Sequence, residues 1–146
     1  PWIVREFPGI RIGLTGVGVA FQGLVAPANH RGITWLEPDK VLRPLVEHLR
    51  RVERCDVVVV LSHLGFDNHG QAWDDQALAR AVPGVDVIIG GHSHTFLEAP
   101  LKVSGAWGDT YINQVGFAGV QLGRMDLTTS GGQLRAASGA PLEVRA

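Results

Sequence analysis

Two apolar runs, CDVVVVLSHLG at 55–65 and VDVIIGG at 85–91, interrupt a chain in which apolar and polar positions otherwise intermix. A run without alternation is what a strand covered on both faces requires. Between the runs, DDQALARAV at 74–82 reads as a short helix capped by Asp74 or Asp75. Upstream, EPDKVLRPLVEHLRRVER at 37–54 sets Val41, Leu45, Leu49 and Val52 along one helical face. Asp39 is the candidate cap of that helix, and Pro44 inside the pattern implies a kink or a later start. PWIVREF and IRIGLTGVGVA read as strands joined at the turn dipeptide Pro8-Gly9, and GLVAPANHRGI and DNHGQAWD read as loops. At the end of the chain, DTYINQVG, AGVQLGRMDL and QLRAASGAPLEV read as antiparallel strands separated by glycine-rich turns. Neither a repeat nor a linker is visible, so residues 1–146 read as one α/β domain, a parallel βαβ core followed by antiparallel strands.

The βαβ unit carries the chemistry. Its crossover makes the two strands parallel neighbours. His63 closes the first run, and His92 and His94 follow directly on the second. In a parallel pair these are the same, carboxyl end, where open α/β sheets assemble ligand sites. His92 and His94 lie two residues apart, so in extended backbone their rings point the same way, while Gly90 and Gly91 permit a sharp bend before them. Imidazole is a ligand for Zn, Mn and Fe, and three converging rings point to a transition-metal centre rather than to unrelated polar residues at strand ends.

Composition narrows the class of partner. A chain of 146 residues is long enough to bury roughly two-thirds of its unfolded surface. With 45% apolar and 18% charged residues it reads as globular rather than disordered. A net charge of −1 offers no basic field to nucleic acid or to an anionic membrane, and no apolar run approaches a bilayer span. Cys55 is the one cysteine, which excludes an internal disulfide and a thiolate metal cage and leaves it as a small buried side chain. The first residue is Pro1 and not Met, which leaves room for a removed leader or a longer amino-terminal region.

Three stretches, VVVVLSHLGFDNHG, DQALARAVPGVDVIIGGHSHTF and YINQVGFAGVQLGRMDL, together resemble the second half of a calcineurin-like metallophosphatase domain of the 5′-nucleotidase branch. PGIRIGLTGVG resembles the strand that follows that family's Asn-His motif, so the likeness runs over nearly the whole chain. GGHSHT in register with SHLG is its specific part. The resemblance implies half of an αββα metallophosphatase sandwich. It also implies hydrolysis of nucleotide phosphate esters, a step in nucleotide catabolism. Two divalent ions (Zn, Mn, Fe or similar), about 3.5–4 Å apart, would acidify the attacking water and neutralise the phosphoryl oxygens. By the same resemblance His63 and His92 would ligate one ion and His94 the other. Asp75 and Asp86 match recurring family acids and read as a helix cap and a strand-edge residue, with Asp86 a weaker candidate to orient an imidazole from behind.

The family builds its site from two halves, and the first supplies Asp-x-His, Gly-Asp and Gly-Asn-His-Glu/Asp motifs that should precede PGIRIGLTGVG. DNHG at 67–70 and ANHR at 28–31 imitate two of these but follow no apolar strand directly, and their order is reversed. Asp67, Asn68 and His69 therefore read as a mouth loop beside His63, and Asn29 and His30 as turn residues. Trp73 and Phe66 are candidates to face a substrate base near His63, although packing is their default, and no substrate-binding residue is identified. These readings predict a carboxy-terminal portion of a metallophosphatase domain, without catalytic residues of its own and inactive or very weak in isolation. It would pair with the missing amino-terminal half or self-associate through an exposed sheet edge. The alternatives are a non-catalytic metal-binding module or partner half of a split enzyme, and a related phosphoesterase acting on cyclic nucleotides, UDP-sugars or sulfur-containing esters. Members of this branch are commonly exported, which implies a periplasmic or extracytoplasmic location.

Overall fold

Both apolar runs become interior strands. The computed structural model describes residues 1–70, 73–106 and 108–145. Along the chain come strands β1 (Ile3–Phe7) and β2 (Ile10–Gly18), helix α1 (Pro38–Arg51), strand β3 (Val57–His63), helix α2 (Asp75–Ala81) and strand β4 (Val87–Ile89). Strands β5 (Leu101–Gly105), β6 (Gly108–Asn113), β7 (Gln121–Ser130) and β8 (Gln133–Glu143) follow. Six strands form one sheet in the order β1-β2-β3-β4-β6-β5, and β7 and β8 form a two-stranded sheet of their own. Strands β2, β3, β4 and β6 are mutually parallel, with β1 and β5 antiparallel at the two edges. This is the mixed α/β architecture expected from the pattern.

One face of the sheet is covered by the helices. Val58 and Val60 of β3, Ile88 of β4 and Ile112 of β6 are fully buried there against Leu42, Val46 and Leu49 of α1 and Leu78 of α2. Each such side chain removed from water contributes on the order of 1.5–3 kcal/mol. Alternation along β3 sends Val57, Val59, Leu61 and His63 to the opposite face. There Leu61 and Ile89, side by side in register, are 53% and 38% exposed, so the carboxyl end of that face lies bare. The β7–β8 hairpin reaches the sheet at its turn, where Gly132 lies against Asp56, and at its base, where Gly123 lies against Asn113 and Val115.

Four expectations need correction. The buried stripe of α1 is Pro38, Leu42, Val46 and Leu49, while Val41 and Val52 are exposed. The stripe is turned by about one residue because Leu42 and Val46 reach the sheet and Val41 does not. Glu37, not Asp39, occupies the cap position of α1, with no side-chain capping bond; Pro38 starts the helix, which runs through Pro44 to Arg51. Strand β6, expected to be antiparallel, lies parallel to β4, and its antiparallel partner is β5, whose LKVSG was not expected to be a strand. Asp86 sits at the amino end of β4, where its carboxylate takes the Arg50 guanidinium and the Val58 N–H (2.6 Å), so it orients no imidazole. Gln71 and Ala72 of the expected polar loop lie outside the described residues.

Arg50 is the latch of that amino end. Its guanidinium also donates to the carbonyls of Gly84 (2.8 Å), Asp56 (2.8 Å) and Cys55 (3.2 Å), tying α1 to the strand entrances. Burial pushes the Asp86 carboxyl above its usual range, and Arg50 opposes that push. Arg50→Ala is expected to destabilise the chain by roughly 2–4 kcal/mol, because it strands a buried carboxylate and three carbonyls. Urea unfolding measures the loss, and a change below about 0.5 kcal/mol would show that Arg50 is no latch.

Candidate metal centre

The carboxyl edge of the parallel strands gathers two of the three expected imidazoles. His63 is the last residue of β3 and faces away from the helices. His92 follows β4 by three residues, and its ring stands edge-on to that of His63, with centroids 5.1 Å apart. His94 turns elsewhere, stacking on Phe117 at 4.9 Å. The expected extended backbone is absent here. His92 and His94 both adopt left-handed conformations, with φ of 76° and 55°. Such a backbone costs an L-residue roughly 1–2 kcal/mol, and it swings successive side chains apart.

Gly90 and Gly91 serve this loop differently from the bend expected of them, because neither has positive φ. They matter for the side chains they lack. A Cβ on Gly91 would stand 3.2 Å from Nδ1 of His63, and one on Gly90 would stand 2.2 Å from a carboxylate oxygen of Asp75. The loop thus lies directly on what is beneath it.

Asp74 and Asp75 divide two tasks that the sequence left merged. Asp74 caps α2, accepting from the Ala77 N–H at 2.7 Å, and also receives the Asn68 N–H at 2.9 Å. Asp75 is fully buried beneath Gly90, where one oxygen accepts from the Ser62 hydroxyl and the other has no hydrogen-bond partner among the described residues. Burial raises its pKa to about 6.

The mouth-loop residues lie to one side. Asn68 spends its side-chain amide on the Trp73 carbonyl (2.7 Å) and the Leu64 carbonyl (3.2 Å), which holds the loop closed. His69 is exposed, with Nδ1 3.5 Å from Asp67. Together with His92, the residues Asp67, His69, Leu24, Trp35 and Trp73 line a cavity of about 630 Å³. Trp73 donates its indole N–H to Glu37. Phe66 packs partly against the core and does not line the cavity. Sequence reasoning missed Ser93, within the histidine loop, and Gln114 and Phe117, which touch it; for Ser93 and Gln114 the signal was a polar residue just past an apolar strand, the same that marked the histidines.

As a metal shell this set is partial. The paired rings of His63 and His92 suit two nitrogen donors on one transition-metal ion. Among the described residues, however, no group of three or more His, Cys, Asp and Glu side chains stands close enough to hold an ion.

Comparison with known proteins agrees with the architecture. The family model for calcineurin-like phosphoesterases matches residues 7–96. An uncharacterised metallophosphoesterase of Bacillus subtilis, YunD, is 37% identical over 62% of this chain and 19% of its own. A 5′-nucleotidase of Vibrio cholerae is 28% identical over 94% of this chain and 29% of its own length. The chain therefore spans well under half of these relatives. In fold it is similar to the sulfate thiohydrolase SoxB of Thermus thermophilus (TM-score 0.78, 23% identity, 97% of this chain and 24% of that one). It is also similar to the phosphoesterase YfkN of Bacillus subtilis (TM-score 0.72, 17% identity, 98% of this chain and 50% of that one).

The buried Asp75 gives the site a pH signature. Its folded pKa near 6 lies above the ordinary 3.8, so the stability linked to this group is complete below about pH 4 and is lost as pH rises through 6. Asp75→Asn is expected to raise unfolding free energy at neutral pH by up to about 3 kcal/mol and to change little near pH 4. Denaturant titrations at the two pH values check this, and equal effects at both would sink it.

Proposed function

The chain belongs to the calcineurin-like phosphoesterase family, and from that premise we propose that it supplies the imidazole half of a dinuclear, 5′-nucleotidase-like centre. The observation that carries this reading is the His63–His92 pair, set at the carboxyl ends of adjacent parallel strands, with His94 on the same strained loop. Members of the family are hydrolases, and the 5′-nucleotidase of Vibrio cholerae among the relatives supports a nucleotide phosphate ester as substrate.

In this reading His63 and His92 would hold one divalent ion, and His94, which here stacks on Phe117, would serve the second. What a pair of such ions supplies is an acidified water and neutralisation of the phosphoryl oxygens. His63 and His92 present nitrogen donors side by side, and beside His92 the chain offers a cavity with room for the organic part of an ester. Carboxylate ligands and a general acid come from another layer of the domain. The bare apolar row of Leu61 and Ile89 is the surface such a layer would cover, whether it belongs to the same polypeptide or to a companion. Among the described residues no helix is long and apolar enough to cross a membrane. Resemblance to exported nucleotidases makes a periplasmic or extracytoplasmic location part of the proposal.

Isothermal titration with Zn²⁺ or Mn²⁺ tests the ligand assignment. The chain is expected to bind, and His63→Ala or His92→Ala to weaken binding by roughly 10-fold or more. Hydrolysis of a nucleoside monophosphate by the purified chain alone is expected to be negligible and to appear only with a carboxylate-bearing first half. Metal affinity indifferent to both substitutions, or robust turnover by the chain alone, would overturn the reading.

A further inference from the structure

Gln114 follows the end of β6 and is almost fully buried, at 2% exposure. All of its side-chain hydrogen bonds go to one loop. Its amide N–H donates to the Gly91 carbonyl at 2.8 Å, and its amide oxygen accepts from the Thr95 N–H at 2.5 Å and from the Ser93 hydroxyl at 3.0 Å. These contacts bracket His92 and His94 on both sides and include the residue between them. Backbone bonds from the same segment add to the grip, since Leu97 N–H donates to the Gln114 carbonyl at 3.0 Å and Gly90 N–H to the Asn113 carbonyl at 2.8 Å. Ser93 carries the connection further, its hydroxyl oxygen accepting the Phe66 N–H at 2.9 Å from the loop that follows His63.

Two consecutive-but-one residues in left-handed backbone hold only where the surroundings over-determine them. We propose that Gln114 is the positioning residue of the histidine loop: its amide fixes the left-handed turn that directs the His92 ring to His63 and the His94 ring away from it. An amide suits this place because the loop offers a carbonyl on one side and N–H and O–H groups on the other, and one side chain must donate and accept at once. A methionine would fill the same volume and make none of these bonds. The consequence for metal binding rests on the function proposed above; the consequence for loop geometry does not.

The experiment compares the wild-type chain, Gln114→Met and Ser93→Ala by backbone NMR and by titration with Co²⁺. In Gln114→Met the Thr95 amide is expected to exchange with solvent about tenfold faster or more relative to core amides such as Ile88 and Ile112. The couplings that report φ at His92 and His94 are expected to move toward averaged values. Ser93→Ala, at an exposed position, keeps two of the three contacts and is expected to shift the same readouts less, so it decides the matter if Gln114→Met fails to fold. Co²⁺ affinity is expected to fall roughly 10–100-fold in Gln114→Met. Unchanged loop exchange and couplings in a folded variant overturn the positioning role, whereas a loosened loop that binds Co²⁺ as tightly as wild type overturns its consequence for metal binding. A loosened loop in a protein whose wild type binds no Co²⁺ upholds the geometric role and overturns the metal reading instead.

Discussion

Parallel pairing of β3 with β4, in register from Val59–Val87 to Leu61–Ile89, is the constraint on which the rest of the molecule depends. It obliges the chain to cross over through α2, and the crossover in turn buries Leu78 and Ala79 against the sheet. It also delivers both following loops to one edge, so His63 and His92 meet although they lie 29 positions apart along the chain. The opposite edge has a different occupation. There Arg50 and Asp86 close the strand entrances and tie α1 to them. Substitutions of Arg50 or Asp86 should therefore act through unfolding, and those of His63 or His92 through the site.

The βαβ unit and the closing hairpin were legible because each is written in contiguous residues: two unbroken apolar runs, and two strands about a Gly131-Gly132 turn. Features decided by the third dimension were not. Val41 and Leu42 are adjacent apolar residues, and periodicity alone supports a stripe through either; contact with the sheet chose Leu42 and Val46. Asp74 and Asp75 are adjacent acids, and only the direction of α2 decides which caps it and which enters the core. LKVSG is short and carries a lysine, so nothing in its pattern announces β5; it becomes a strand because β6, inserted beside β4, needs a partner on its far side.

At the site, the residue types were legible but not their directions. Two histidines at i and i+2 share a face only in extended backbone, and here the backbone is left-handed at both. The glycines before them are required by crowding with Asp75 and His63 and not by unusual torsions. Strain is therefore placed on the histidines themselves, which belong with Asn and Asp among the side chains that enter this region most readily. Support for it comes from Gln114, 22 positions beyond His92 in sequence, and no local pattern could have connected the two.

The bare face of the sheet bears on how such a site would be completed. Along β3, Leu61 and His63 point to the same side, and Ile89 lies beside Leu61 on β4. Covering what remains exposed of these two side chains is worth on the order of 1.5–3 kcal/mol, which favours the packing of another layer against this edge. A layer seated on Leu61 and Ile89 would stand next to His63, because only one residue separates Leu61 from it on the strand. Carboxylates carried on that layer would arrive beside the paired rings of His63 and His92. Apolar burial and completion of the ligand shell would then be one event, with the geometry of the histidine loop set beforehand and the charge brought in by the layer that closes over it.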